Sequence, residues 1–426
     1  MAIAENINKS NGGDDVMRTA DGTPLKLSLQ RAQRRQKQRT FFLVVPLLVF
    51  ILFSFVFPIL NMLTRSVEDP QVVSYMPNTL KALEDWDGES LPGEPVFEAM
   101  AQDFKIGREN KTIGRVGKRL NYEESGMRGL FNKTGRRIDK IETGPWKQAF
   151  LDIDKKWANV KTFTIIQRHD SAYSASYYIA ALDLKQNEQN EIVRQDEERR
   201  IYVSLFLRTF GVSFLIAVLT LLLGFPIAYL MANLPLRYSN LLMILVLLPF
   251  WTSLLVRTTS WIVLLQSQGV INDVLVAMGV IDDENRVQMI FNMTGTIVAM
   301  THILLPFMVL PLYSVMRTIP PSYMRAARSL GANQFVAFVR IYLPQTVPGI
   351  SAGAILVFIL AIGYYITPAL VGGETGQLIS NIIAYHMQRS LNWGLAGALG
   401  SILLLSVLVL FGLYSRFLGL RGLKFG

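Results

Sequence analysis

Cysteine is absent from all 426 residues, which excludes disulfides, thiolate catalysis and zinc–thiolate sites. Histidine is scarce: His169, His302 and His386 are dispersed and give no metal-ligand spacing. Charged residues make up 17% of the chain, below the roughly 25% usual for soluble globular proteins, while 51% is hydrophobic. No glycine loop followed by Lys-Ser or Lys-Thr occurs, so the sequence offers no phosphate cradle for ATP hydrolysis. Acids are missing from every long apolar run. The formal charge of +10 would suggest nucleic-acid binding, but many basic residues border apolar runs, where they act as topology signals.

What the chain does have is long apolar segments. Met1 to about Gln30 is polar, and Arg31–Arg39 (RAQRRQKQR) is a basic run read as a cytoplasmic anchor. The first forty residues are polar, and no cleavable signal peptide is expected. Phe41–Leu63 is long enough to cross a bilayer, which needs about 20 apolar residues. Five further spans are placed at Val203–Ala232, Leu241–Leu265, Met289–Met316, Val347–Val371 and Leu395–Leu418. The loops at Asn233–Asn240 and Arg317–Arg340 carry arginine and no acid. The Gln266–Gln288 loop carries Asp273, Asp282, Asp283 and Glu284 against Arg286. Six helices with both termini in the cytoplasm satisfy this charge pattern, with Arg416, Arg421 and Lys424 inside. The fold class is therefore an all-α polytopic membrane protein.

The chain divides into a basic tail (1–40), the first span (41–64), an insertion (65–202), a core (203–418) with a basic loop (317–346), and a short tail (419–426). The insertion would be extracytoplasmic and α+β. Phe97–Lys105 and Trp146–Trp157 look amphipathic, Thr162–Gln167 looks like a strand, and Tyr173–Leu184 is apolar enough for burial. His169-Asp170 reads as a surface turn.

Polar groups inside spans are costly unless they face a cavity or a partner. The candidates are Thr252, Ser253, Arg257, Thr259, Ser260 and Trp261, then His302, then Tyr364, Tyr365 and Thr367. Helix packing is the plain alternative for each. Tyr364-Tyr365 before Thr367-Pro368 is the most cavity-like, because Pro368 frees a carbonyl one turn back. Gly372-Gly373 reads as a turn.

One inter-span stretch alternates small, apolar and basic residues throughout: Arg325–Pro344, RAARSLGANQFVAFVRIYLP. Ala326, Ala327 and Leu330 share a helical face. Gly331 permits a sharp turn, since glycine enters φ > 0 without steric cost. Phe335, Phe338 and Val339 restart an apolar stripe, and Pro344 closes the segment. A helix–turn–helix on a membrane surface suits the docking of a separate protein.

This stretch resembles the EAA loop of ATP-binding-cassette importer permeases: Glu-Ala-Ala, three residues, Gly, nine residues, Ile, one residue, Leu-Pro. Ala326, Ala327, Gly331, Ile341, Leu343 and Pro344 match, whereas Arg325 stands at the glutamate position. Leu207–Ala232, Leu248–Asn272 and Gly363–Gly373 are similar to the spermidine/putrescine-type branch. The resemblance covers about Leu205–Leu418 and the first span, not the insertion. It implies a non-catalytic subunit of the bacterial inner membrane that moves a small solute from a periplasmic binding protein. Its partners would be two ATPase copies on the EAA-like loop, a second homologous permease and membrane lipid, without nucleic acid. ATP and Mg would bind the ATPase, not this chain. A polyamine is the first substrate reading. An opine, phosphonate, thiamine, ferric iron or other small solute is the alternative. A ligand-sensing membrane protein or a secondary transporter is the alternative of another class, although nothing cytoplasmic resembles an output domain and the spans lack carboxylates.

Overall fold

The computed structural model describes residues 25–187 and 189–417. Most of the polar N-terminal stretch, and Arg421 and Lys424 of the C-terminal tail, lie outside the described residues. The chain falls into two compact units, Met1–Met62 and Leu63–Gly426. Among the described residues, six helices are long and apolar enough to cross a membrane: Gln36–Arg65, Tyr202–Asn233, Leu254–Ala277, Met293–Thr318, Gln334–Gly363 and Trp393–Arg416.

The first of these is α1 (Leu25–Ile51), a π turn at Leu52–Val56, and α2 (Phe57–Arg65). The π turn ends two residues before Pro58. Proline gives no N–H to the carbonyl four residues back and crowds it, and a widened turn absorbs both effects.

The insertion is helical apart from one small hairpin, where an α+β domain was expected. Its helices are α3 (Gln71–Tyr75), α4 (Pro77–Ala82), α5 (Glu94–Glu109), α6 (Ile113–Leu120), α7 (Met127–Ile138), α8 (Trp146–Ile153), α9 (Val160–Gln167) and α10 (Ser176–Ala181). Strands β1 (Leu184–Gln186) and β2 (Ile192–Arg194) pair antiparallel, Lys185 opposite Val193. Phe97–Lys105 lies in α5, which buries Phe97, Met100, Ala101 and Phe104 at helical spacing. Thr162–Gln167 is helical, against its β-branched composition. The Asn159 side chain caps α9 by accepting the Lys161 N–H at 3.0 Å, and Phe163 packs against Phe97, Trp86 and Trp157. Tertiary packing overrides β propensity here. Trp157 is fully buried and donates its indole N–H to Thr134 Oγ1 at 2.9 Å.

His169 is not on a surface turn. It is 3% exposed, inside a network with Asp69, Arg119 and Glu123. Arg119 Nε meets Asp69 Oδ2 at 2.5 Å, and His169 Nε2 faces Glu123 Oε1 at 3.1 Å and Asp69 Oδ2 at 3.4 Å. Its Nδ1 lies 2.9 Å from the Ile165 carbonyl, so both ring nitrogens face acceptors and the imidazolium is favoured. Burial alone would lower its pKa, but hydrogen bonding to Asp69 and Glu123 outweighs burial and raises it to about 9. Burial would raise Glu123, yet His169 and Arg119 hold it at about 2.

In the core, the helices are α11 (Tyr202–Asn233), α12 (Leu236–Leu247), α13 (Leu254–Leu265), α14 (Val270–Ala277), α15 (Met293–Thr318), α16 (Pro321–Ser329), α17 (Gln334–Ala337), α18 (Leu343–Gly363), α19 (Ile366–Val371), α20 (Ile379–Gln388) and α21 (Trp393–Phe417). Helices α11, α15 and α18 form the central block around Ile216, Met300, Leu304, Met308, Val309, Leu312, Val357 and Ala361. A Cβ at Gly353 would sit 2.7 Å from Met308 Sδ, so that position lets α15 and α18 approach closely.

Two expected spans are interrupted. Leu241–Leu265 is broken by a 3₁₀ turn at Leu248–Trp251 and an extended Thr252–Ser253. Val347–Val371 is broken at Tyr364-Tyr365, between α18 and α19. Pro249 starts one break, and Gly363 precedes the other.

The insertion shares a core with the bundle. Tyr177 and Ala181 pack with Leu205 and Phe206 of α11, Ile379 of α20, and Leu395, Ala398 and Leu399 of α21. Asp183 accepts the N–H groups of Ile201, Tyr202 and Val203 at 2.8–3.1 Å and so caps α11.

Candidate functional site

The candidate site has two parts, an exposed elbow and a polar cluster, at opposite ends of α18. Helix α16 ends in a turn where Gly331 takes φ +89°. The N–H groups of Leu330, Gly331 and Ala332 return to the carbonyls of Ala326, Arg328 and Ala327. Asn333 then caps α17 by accepting the Val336 N–H at 2.8 Å. The helix–glycine turn–helix read from the sequence is what the chain forms.

Two faces divide the elbow. Leu330 is 90% exposed and Phe335 74%, with Arg325, Ala326, Arg328 and Gly331 also on the surface. Ala327 is half-buried, as is Leu343, while Ile341 and Pro344 are exposed. On the inner face Ala337 and Tyr342 are buried, and Phe338 stacks on Tyr342 at 5.6 Å. Tyr229 of α11 meets both rings edge-on, at 5.7 and 5.3 Å, and Phe225 meets Phe338 at 6.2 Å. The expected stripe of Phe335, Phe338 and Val339 is therefore split: Phe338 anchors, and the other two face out. The buried aromatic anchors at Tyr229 and Tyr342 were not singled out in the sequence; Tyr342 lies four residues from Phe338, which was the available signal.

Pro344 does not close the segment. A π turn at Phe338–Tyr342, again ending two residues before the proline, carries α17 into α18 without interruption. The elbow is thus continuous with a helix of 21 residues, about 32 Å long.

At the far end of α18 the polar candidates come together in pairs. Trp261 donates its indole N–H to His302 Nδ1 at 3.2 Å, with the rings 5.4 Å apart. Thr258 and Thr367, both buried, lie 3.5 Å apart and connect α13 to α19. Tyr364 and Tyr365 occupy the break, Tyr365 being 39% exposed. Arg257 lies in the first turn of α13, and its Nε is buried without a hydrogen-bond partner among the described residues. Other candidates serve their own backbone. Thr252 bonds Pro249 O, Ser253 caps α13, and Thr259 and Ser260 bond carbonyls one turn back. Gly372-Gly373 is a turn, as read, with Gly373 at φ +55°.

Among the described residues, six helices long and apolar enough to cross a membrane, a close-packed block and an exposed elbow anchored to it make a polytopic membrane protein. The chain belongs to the family described as "binding-protein-dependent transport system inner membrane component", which it matches over residues 204–418. It is therefore a multi-pass inner-membrane protein and a permease component of ABC importers. Among its relatives, the spermidine/putrescine transport system permease protein PotB of Haemophilus influenzae is 36% identical over 211 residues, covering 49% of this chain and 73% of that protein. PotB of Escherichia coli is 36% identical over 198 residues, covering 46% of this chain and 71% of that one. A solved bacterial ABC transporter involved in import of the acidic polysaccharide alginate is 21% identical with TM-score 0.40, over 52% of this chain and 81% of that one. The family match begins after the insertion.

Proposed function

We propose that this chain is the transmembrane subunit of a binding-protein-dependent importer in which the Arg325–Pro344 elbow receives a separate ATPase. Two ATPase copies, which bind the ATP and Mg, would serve a pair of permeases, this chain and a second homologous one. The periplasmic binding protein would deliver the solute on the side of the insertion. Both termini of this chain lie in the cytoplasm in this reading. The observation that carries it is the division of the elbow: Leu330 and Phe335 present apolar area that is 90% and 74% exposed, while Phe338 and Tyr342 fix the elbow to α11. Closure of the ATPase dimer would push the elbow. Because the elbow runs unbroken into α18, and α18 packs on α15 and α11, the push passes as rigid-body motion to the Tyr364-Tyr365 break.

The PotB relatives favour a polyamine as the solute. Tyr364, Tyr365 and Trp261 would attract such a cation by about 0.5–2 kcal/mol per contact, and the pathway would include His302, Thr367, Arg257, Thr252 and Ser253.

The test is co-sedimentation of the ATPase with membranes. Leu330→Asp with Phe335→Asp is expected to release it while the chain stays inserted. Arg325→Glu is expected to weaken ATP-driven uptake several-fold, as a cation meeting the ATPase would require. Uptake that persists in cells lacking the ATPase sinks the reading. Competition of labelled spermidine against opines, phosphonates and thiamine then decides the solute class.

A further inference from the structure

The break at Tyr364-Tyr365 leaves the Tyr364 carbonyl without a helical partner, because Pro368, four residues on, has no N–H. The Tyr365 carbonyl accepts the Ala369 N–H at 3.0 Å and keeps a second lone pair free of the helix. In a membrane such groups must be satisfied by protein donors, since each unpaired one costs several kcal/mol. Two adjacent residues of α20 donate side-chain hydrogen bonds to the bend. Ser380 Oγ donates to the Tyr364 carbonyl at 2.7 Å, and Asn381 Nδ2 donates to the Tyr365 carbonyl at 2.7 Å. Asn381 Oδ1 in turn accepts the Leu378 N–H at 3.0 Å, which fixes which end of the amide faces the tyrosine. Asn381 is 9% exposed and Ser380 8%. Neither side chain reaches the Trp261–His302 or Thr258–Thr367 pairs; both act on backbone at the bend.

We propose that Asn381, assisted by Ser380, is a positioning residue of the transport pathway: it holds the bend that presents Tyr364 and Tyr365 and lets α19 and α20 move with α18. This rests on the permease reading. The asparagine amide does two things that no single simpler group does, donating to the second lone pair of the Tyr365 carbonyl while accepting from the start of α20. Asn381→Ala strands the Leu378 N–H and leaves the Tyr365 carbonyl with its Ala369 bond alone, so the tie from α20 to the bend is cut. Asn381→Asp keeps the acceptor and loses the donor. Thr209 Oγ1, which accepts the Ile379 N–H at 2.8 Å from α11, also ties down α20 but touches neither tyrosine carbonyl. It is the control for loss of general packing.

Because the chain has no cysteine, Tyr365→Cys creates a unique thiol. Its labelling by a charged, water-soluble methanethiosulfonate is measured in membranes holding the full chain with its native partner subunits, with and without ATP and vanadate. In the otherwise native background, ATP–vanadate should change the labelling rate several-fold. Asn381→Ala and Asn381→Asp should reduce that response to less than twofold, while Thr209→Val retains it. If Asn381→Ala does not accumulate in membranes, Ser380→Ala, which strands one carbonyl, takes its place with the same expected loss. A nucleotide response that survives in these variants, or one lost equally in Thr209→Val, overturns the proposal and leaves the permease reading standing. A native background without any nucleotide response counts instead against the permease reading, and the proposal falls with it.

Discussion

At the scale of single residues, the buried Asp69–Arg119–Glu123–His169 network ties the start of the insertion to α6 and to the turn after α9. Arg119 also lies over the Tyr177 ring at 4.8 Å and donates to Ser176 Oγ at 2.8 Å, which extends the network to the face that meets α21. The folded pKa of His169, about 9, exceeds its ordinary value of 6.5. Its contribution to stability is therefore complete below pH 6.5 and is lost as pH rises through 9, a difference of roughly 3 kcal/mol. Glu123 runs the other way: held at about 2, it contributes above pH 4.5 and loses that contribution as pH falls toward 2. Thermal unfolding of the purified protein, followed by the fluorescence of Trp86, Trp146 and Trp157, should show a midpoint that declines between pH 6.5 and 9. His169→Ala should lower the midpoint at pH 6 and flatten that decline. A decline of unchanged slope in the variant would mean that another group titrates. The sequence showed His169 beside Asp170 but not what covers it, because Asp69 and Arg119 lie 100 and 50 positions away. Contacts of that separation carry no periodic signal.

Among elements, the contact of α10 with α21 makes the insertion part of the bundle. A Cβ at Gly394 would fall 2.3 Å from Cε2 of the buried Tyr177 ring, which would have to shift. Gly394→Ala should therefore cost about 1–3 kcal/mol through overpacking. Trimming the ring should remove the clash, so Gly394→Ala combined with Tyr177→Ala should be less destabilised than the sum of the single changes. A double-mutant cycle by thermal unfolding measures this, and strict additivity would show that the two residues do not touch in solution. Element existence was legible wherever apolar runs were long, and the elbow was legible because Gly331 and the residues around it are local signals. The two helix breaks were not. Leu248–Ser253 and Tyr364-Tyr365 sit inside continuous apolar runs, and the partners that stabilise the second break, Ser380 and Asn381, lie 16 residues downstream. The short strand expected at Thr162–Gln167 failed for the same kind of reason, since the rings around Phe163 come from α5, from Trp86 and from Trp157.

For the molecule as a whole, α11 fixes the relation between the insertion and the elbow. Its first turn is capped by Asp183 of the insertion, its last turns hold the elbow through Phe225 and Tyr229, and the Ala232 carbonyl accepts from Arg317 at the end of α15 at 3.2 Å. The helix has 32 residues, about 48 Å, which exceeds the roughly 30 Å of a bilayer's hydrocarbon core. Insertion and elbow therefore cannot lie on one side of the membrane if α11 crosses it. The proposed topology takes the sides from the basic residues. Arg317, Arg325, Arg328 and Arg340 cluster at the elbow end. At the other end Arg286 is neutralised by Asp273 and Asp283, at 2.7 and 2.8 Å. The positive-inside rule counts Lys and Arg in short loops, so in the proposed topology the elbow end is the expected cytoplasmic side. Alkaline phosphatase, active only outside the cytoplasm, should thus be active when inserted after Gly88, where the chain turns at φ +75° in open surroundings, and after Glu284. Fused after Gly331 it should be inactive, and a green fluorescent protein there should be bright. Activity after Gly331 together with silence after Gly88 would invert the topology, place the elbow out of reach of any cytoplasmic ATPase, and remove the proposed coupling.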